Sequence, residues 1–170
     1  MGSGLLIFPG NKETGMNYKD NWYPFRQDSS FLYYYGINLP NLYVIIDLDE
    51  GKEILFGNDL SPEDMVWVGA SDPLANEAEK CGIKEMQPTS KLKDTIQKAK
   101  QKGQTLHYLP PYRSNVTIEL GELLGFPVTA IGRNYSIEDF IKEITNATKD
   151  KPISRLNSTL LLSQRPQIMV

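Results

Sequence analysis

The sequence predicts an α/β domain, a mixed sheet covered by helices. Short apolar runs bounded by turn residues alternate along the chain with capped stretches of helical periodicity. The 170 residues are 40% hydrophobic and 23% charged, which supplies a buried core and is ordinary for one globular domain. No apolar run approaches the roughly 18–20 residues that a membrane-spanning helix needs.

Leu5–Phe8 is a continuous apolar run closed by Pro9-Gly10, the pattern of a buried strand. A polar loop follows to about Lys19. Asp28 is placed to cap a short helix in which Phe31 packs with Tyr34 and Tyr35 and which Gly36 ends. Leu42–Leu48 and Glu53–Phe56 flank Asp49-Glu50-Gly51-Lys52, so they read as a hairpin. Ser61-Pro62-Glu63-Asp64 combines an N-cap, a proline at the first helical position and acids on the positive end of the dipole. Asp72-Pro73 repeats that device, with Gly82 ending the second helix.

Leu92, Ile96 and Ala99 recur at helical spacing between Ser90 and Gly103, with lysines in the last turn. Gln104–Leu109 reads as a strand stopped by Pro110-Pro111, and Ser114–Leu124 as a helix stopped by Gly125. After a further strand, Ser136-Ile137-Glu138-Asp139 opens a helix reaching about Thr148. Beyond Lys149 the signals fade.

Scarce residue types exclude several functions. Eighteen basic against 21 acidic residues give a net charge of −3, a poor match for a phosphate-tracking surface, so no nucleic-acid partner is expected. One cysteine, Cys81, cannot form an internal disulfide. With one histidine, His107, it falls short of the donors a zinc site needs. Neither phosphate-binding glycine motif occurs, and no G-x-S-x-G elbow supports a nucleophile. An autonomous hydrolase would have to combine Ser29 or Ser30 with His107, but a histidine between Leu106 and Tyr108 reads better as a packed strand residue. Asp47 and Asp49 share a strand face as a metal pair would, although Asp49 already sits where turns favour aspartate. Met1-Gly2-Ser3-Gly4 carries no basic residue ahead of a very short apolar run, which makes a poor secretion signal. The expectation is a cytoplasmic chain without a membrane partner, and the sequons at Asn115, Asn134, Asn146 and Asn157 are taken as chance.

The informative segment is Asn21–Gly36, which holds seven of the seventeen aromatic residues between Trp22 and Tyr35. Tyrosine buries a flat ring while keeping a polar tip, which suits an interface. Arg26 and Asp28 interrupt the aromatics and are placed to pair. The plainer alternative is a helix at the edge of the core.

The stretch Tyr23-Pro24-Phe25-Arg26-Gln27-Asp28-Ser29-Ser30-Phe31-Leu32-Tyr33-Tyr34-Tyr35-Gly36 resembles the signature of the N-terminal domain of aminopeptidase P, the Xaa-Pro aminopeptidase family. Leu5-Leu6-Ile7-Phe8-Pro9-Gly10-Asn11, then Leu55-Phe56 with Ser61–Gly69, then His107-Tyr108-Leu109-Pro110-Pro111-Tyr112-Arg113 resemble further pieces of that domain in the same order. The likeness covers roughly Gly4 to Ile144. It implies a ribonuclease-H-like, creatinase-type N-terminal domain over residues 1–149, with a tail of uncertain structure over 150–170.

The resemblance also implies that this chain has no catalytic, metal or cofactor site. In the family two manganese ions are held by two Asp, one His and two Glu of a separate C-terminal domain that would lie beyond Val170. The parent would be a manganese-dependent metallopeptidase for peptides with proline second. Its N-terminal domain would support a homo-oligomer and help wall the active site of its own or a neighbouring catalytic domain. Carried over to this sequence, Trp67 is the lid contact, and Arg26 and Tyr33 are expected at the same cleft. Burial of Trp67 along an amphipathic helix is the competing reading, and a free-standing binding or oligomerisation module is the alternative function. Two departures stand out: the family's Arg-rich helix before the first strand has no counterpart, and Lys151-Pro152-Ile153-Ser154 replaces the family's entry into the catalytic domain.

Overall fold

The computed structural model describes residues 3–18, 21–69 and 72–131. The helix expected from Ser136 and the tail from 150 lie outside the described residues. Five strands form one sheet: β1 (Leu5–Pro9), β2 (Tyr43–Asp47), β3 (Lys52–Phe56), β4 (Glu85–Gln87) and β5 (Leu106–Tyr108), in the order β4-β3-β2-β1-β5. β2 runs antiparallel to β1 and to β3, while β4 lies parallel to β3 and β5 parallel to β1. Four strands therefore point one way and β2 the other, which is the mixed sheet expected.

Strand alternation divides the core into two layers. Leu6 and Phe8 of β1 join Val44, Ile46 and Leu55 on one face, covered by α1 (Ser29–Tyr35) and α3 (Leu74–Lys80) through Phe31, Tyr35, Leu74 and Ala78. Leu5 and Ile7 join Tyr43, Ile45, Ile54 and Phe56 on the other, covered by α4 (Leu92–Gln101) and α5 (Ser114–Leu124). Burial on both faces explains why β1 and β2 read as unbroken apolar runs rather than as alternating ones. Leu92, Ile96 and Ala99 are all buried, as their spacing required.

The helix ends follow local chemistry where the signals were strong. Asp28 Oδ1 accepts from the backbone N–H groups of Ser30 (2.8 Å) and Phe31 (3.1 Å), and Gly36 ends α1 with φ 69°. α2 (Pro62–Val68) starts in a full capping box: Ser61 Oγ accepts from Asp64 N at 3.1 Å while Asp64 Oδ2 accepts from Ser61 N. α3 departs from expectation. Asp72 does not cap it; the first N–H belongs to Leu74 and donates to Asp59 Oδ1 at 2.7 Å, so the cap arrives from the preceding loop. β4 is an addition, three half-buried residues docked on β3.

Candidate functional site

Parallel strands β1 and β5 lie side by side, and the chain leaves their carboxyl ends toward opposite faces. After β1 it runs to α1 on the first face; after β5 it runs to α5 on the second. Between the two exits opens a cleft of about 600 Å³. Leu109, Pro110 and Pro111 supply apolar wall, and Arg26, Tyr112 and Arg113 bring polar groups to it.

A buried amide holds one wall in place. Gln27 is wholly inaccessible to solvent, and its Oε1 accepts from Asn11 N (2.5 Å) and Asp28 N (2.9 Å) while its Nε2 donates to Leu39 O (2.7 Å). Asn11 Nδ2 in turn donates to Arg26 O at 2.9 Å. One side chain thus ties the exit of β1, the cap of α1 and the loop ahead of β2. Gly10 leaves room for it: a Cβ there would stand 2.6 Å from Leu42 O and 2.9 Å from Gln27 Nε2. Lys12 Nζ meets Glu119 Oε1 at 2.7 Å and links the same exit to α5. The Tyr43 hydroxyl lies beside Glu119 without meeting hydrogen-bond geometry; burial first, then Glu119, pushes its pKa far above the ordinary tyrosine value, so it stays neutral.

Of the residues singled out in the sequence, Arg26 lines this cleft. Its guanidinium donates to Ser29 Oγ at 3.0 Å and does not pair with Asp28, whose carboxylate is committed to the α1 cap. The expected Arg26–Asp28 ion pair is therefore replaced by two separate local contacts. Tyr33 stands exposed on α1 with its ring edge-on to Tyr34 at 4.9 Å, and it is not among the cleft-lining residues. Trp67 is on α2, 83% exposed, beside Val66 at 80%. The competing expectation, that Trp67 is buried along an amphipathic helix, does not hold, because α2 lays no apolar stripe on the core. His107 is buried within β5 with Nε2 3.4 Å from Ser3 O, at the other end of β1 from the cleft. Asp47 Oδ1 accepts from Asp49 N and Glu50 N, both at 3.0 Å, which is turn chemistry.

Among the described residues no group of three or more His, Cys, Asp or Glu is arranged to hold a metal ion, so the residues present do not fit a metal centre. Sequence reasoning missed Gln27 as the organising residue. Its signal was a glutamine set among aromatics in a segment otherwise reading as core.

The family model described as aminopeptidase P, N-terminal domain, matches residues 1–107. A probable Xaa-Pro aminopeptidase of Fusarium vanettenii is 30% identical over 94 residues, 55% of this chain and 20% of that protein. One from Podospora anserina is 26% identical over 171 residues, 99% of this chain and 35% of the relative. The human Xaa-Pro dipeptidase is 30% identical over 83 residues, 49% of this chain and 17% of its own length. The chain thus spans about a third or less of these curated relatives. Among solved structures, Pseudomonas aeruginosa aminopeptidase PepP aligns with a TM-score of 0.60 at 19% identity, covering 74% of this chain and 28% of that one. A variant of Escherichia coli aminopeptidase P aligns at 0.58 and 20% identity over 74% of this chain and 29% of that one. At such identities the structures speak for the fold alone.

Proposed function

This chain belongs to the family of aminopeptidase P N-terminal domains, and from that membership we propose that it is the non-catalytic N-terminal domain of a Xaa-Pro aminopeptidase. The match of the family model across 1–107 carries the reading. Its parent would remove the first residue from peptides with proline second, using a manganese pair held in a C-terminal domain outside this sequence. The remaining parts of the proposal are a cytoplasmic, homo-oligomeric protein that lends shape to the catalytic centre.

Trp67 is the residue assigned to that task. An indole 83% exposed on a seven-residue helix, flanked by the exposed Val66 and Met65, offers flat apolar surface for a partner. A prolyl ring needs apolar contact and brings no N–H to satisfy, so an indole face suits it. The rigid capping box at Ser61 and Asp64 would hold the indole at a fixed place, as a wall contact requires. Arg26 and Tyr33 are assigned as further contacts of the same interface.

Two measurements test this. The chain incubated with manganese and the dipeptide Ala-Pro should release no free proline, and turnover would refute its non-catalytic character. Light scattering on the eluted protein should give a mass above one chain, falling toward one chain in Trp67→Ala. A strict monomer, unaffected by the substitution, would count against assembly through α2.

A further inference from the structure

The crevice between β1 and β5 has the topology at which open α/β sheets take ligands. Such sites form outside the carboxyl ends of parallel strands, where successive connections diverge to opposite faces and leave no chain to fill the gap between them. Here the β1–α1 connection turns to one face and the β5–α5 connection to the other, and the cleft of about 600 Å³ lies at that divergence. Its size is within the roughly 300–1,000 Å³ usual for small-molecule sites.

The chemistry of the walls selects the ligand. Arg26 and Arg113 both line the cleft, and neither is paired with a carboxylate among the described residues. Arg26 engages Ser29 Oγ, and a guanidinium carries five donors in a planar fork, so most of its capacity remains for another acceptor. Asp28 also lines the cleft, but its Oδ1 takes two backbone N–H groups of α1 and so faces the helix start. The first turn of the 11-residue α5 begins at Arg113 without a side-chain cap, and its dipole adds positive potential to what the arginines establish. Leu109 and the Pro110-Pro111 pair, all half-buried, give the cleft an apolar side.

We infer that this crevice is a binding site for a small organic anion, with its carboxylate or phosphate oxygens held by Arg26 and Arg113 and its apolar body against Leu109, Pro110 and Pro111. Two planar donor forks on an apolar floor match an oxyanion attached to a hydrophobic group better than they match a bare ion. The inference concerns this chain's own cleft and stands whether or not Trp67 walls a catalytic site.

The test is an amide-resolved NMR titration of the full chain with N-acetylphenylalanine, its C-terminal amide and inorganic phosphate. Saturable shifts at Asn11, Ser29, Ser30, Arg113 and Val116 are expected with the acid, with at least tenfold weaker binding of the amide. Arg26→Gln and Arg113→Gln, at exposed and half-buried positions, should each weaken binding about tenfold while amides far from the cleft keep their shifts. Tighter binding of the acid than of phosphate is expected, and the reverse would overturn the role given to the apolar wall. Absence of saturation by both anions in the millimolar range, equal binding of acid and amide, or unchanged affinity in both arginine variants would overturn the assignment.

Discussion

Replacing Gln27 with leucine isolates the contribution of one buried amide. Leucine approximates the volume of glutamine but has no polar atom, so it strips partners from Asn11 N, Asp28 N and Leu39 O at once. An unsatisfied buried backbone group costs about 1–3 kcal/mol. Asn11 is 5% exposed and bears the full penalty, whereas Asp28 and Leu39 are half-buried and recover part of theirs from water. The sum is about 3–4 kcal/mol, reduced by roughly 1 kcal/mol for the apolar surface that leucine adds to the interior. A net loss of about 2–3 kcal/mol is a large share of the roughly 5–15 kcal/mol that stabilises an ordinary domain. Urea unfolding followed by circular dichroism should show the midpoint falling by about 1–2 M with the slope unchanged, since the slope is about 1–3 kcal/mol per molar. A midpoint within about 0.3 M of the parent would refute the view that Gln27 organises the β1–α1 corner.

Gly10→Ala tests the same corner from the backbone side: with a Cβ 2.6 Å from Leu42 O it should destabilise by about 1–3 kcal/mol, and combined with Gln27→Leu it should fall short of additivity. Ile96→Ala removes a fully buried side chain from the α4 face and should cost about 2–5 kcal/mol in the same unfolding assay. Trp67→Ala, compared with wild type at a concentration where both are monomeric, should leave the melting midpoint nearly unchanged, because the indole is 83% exposed; a drop of more than about five degrees would show it packed. Glu50 has its pKa lowered to about 2 by hydrogen bonds from Lys102 and then Lys52. A carboxylate with a depressed native pKa stabilises above its unfolded value near about 4.3 and loses that contribution as pH falls toward 2. The melting difference between wild type and Glu50→Gln should therefore be present at pH 7, vanish by about pH 2, and shrink in salt, because the group is fully exposed.

Elements whose cause is local were legible in the sequence. Gly36, Gly125 and the Ser61 box act within a turn of the residues they govern, so spacing alone located α1, α5 and α2. The hairpin was equally plain because its strands are neighbours in sequence and its turn is closed by Asp47. β4 was invisible for the opposite reason: Glu85-Met86-Gln87 holds a single apolar residue, too few to show a period, and it pairs as a strand on the edge that β3 offers. Asp72 misled because capping depends on where a carboxylate points, and Asp59 reaches Leu74 N from 15 residues upstream. The cleft was illegible as a site because its two walls come from the exits of β1 and β5, where Ile7 pairs with Tyr108 from about a hundred residues further along the sequence.

The sheet itself explains why the candidate contacts gather where they do. With β2 alone reversed, the loops after β1, β3 and β5 all emerge at one edge, bringing Arg26, the α2 patch and Arg113 to that end of the molecule. The opposite end carries the 48–51 turn, and its charges are spent on each other. Asp47 Oδ1 closes the turn and accepts from Gln104 Nε2 at 3.0 Å, while Glu50 is shared by Lys52 and Lys102 at 2.7 and 2.6 Å. A partner or ligand arriving at the turn end would have to displace satisfied ion pairs in exchange for interactions of similar strength. At the strand-exit end it meets an exposed indole and two arginines that have no carboxylate partner among the described residues, so new contacts there displace no ion pair of those residues. The asymmetry of unspent bonding capacity, set by one antiparallel strand, is the physical reason to seek both the domain interface and the anion crevice at the same edge.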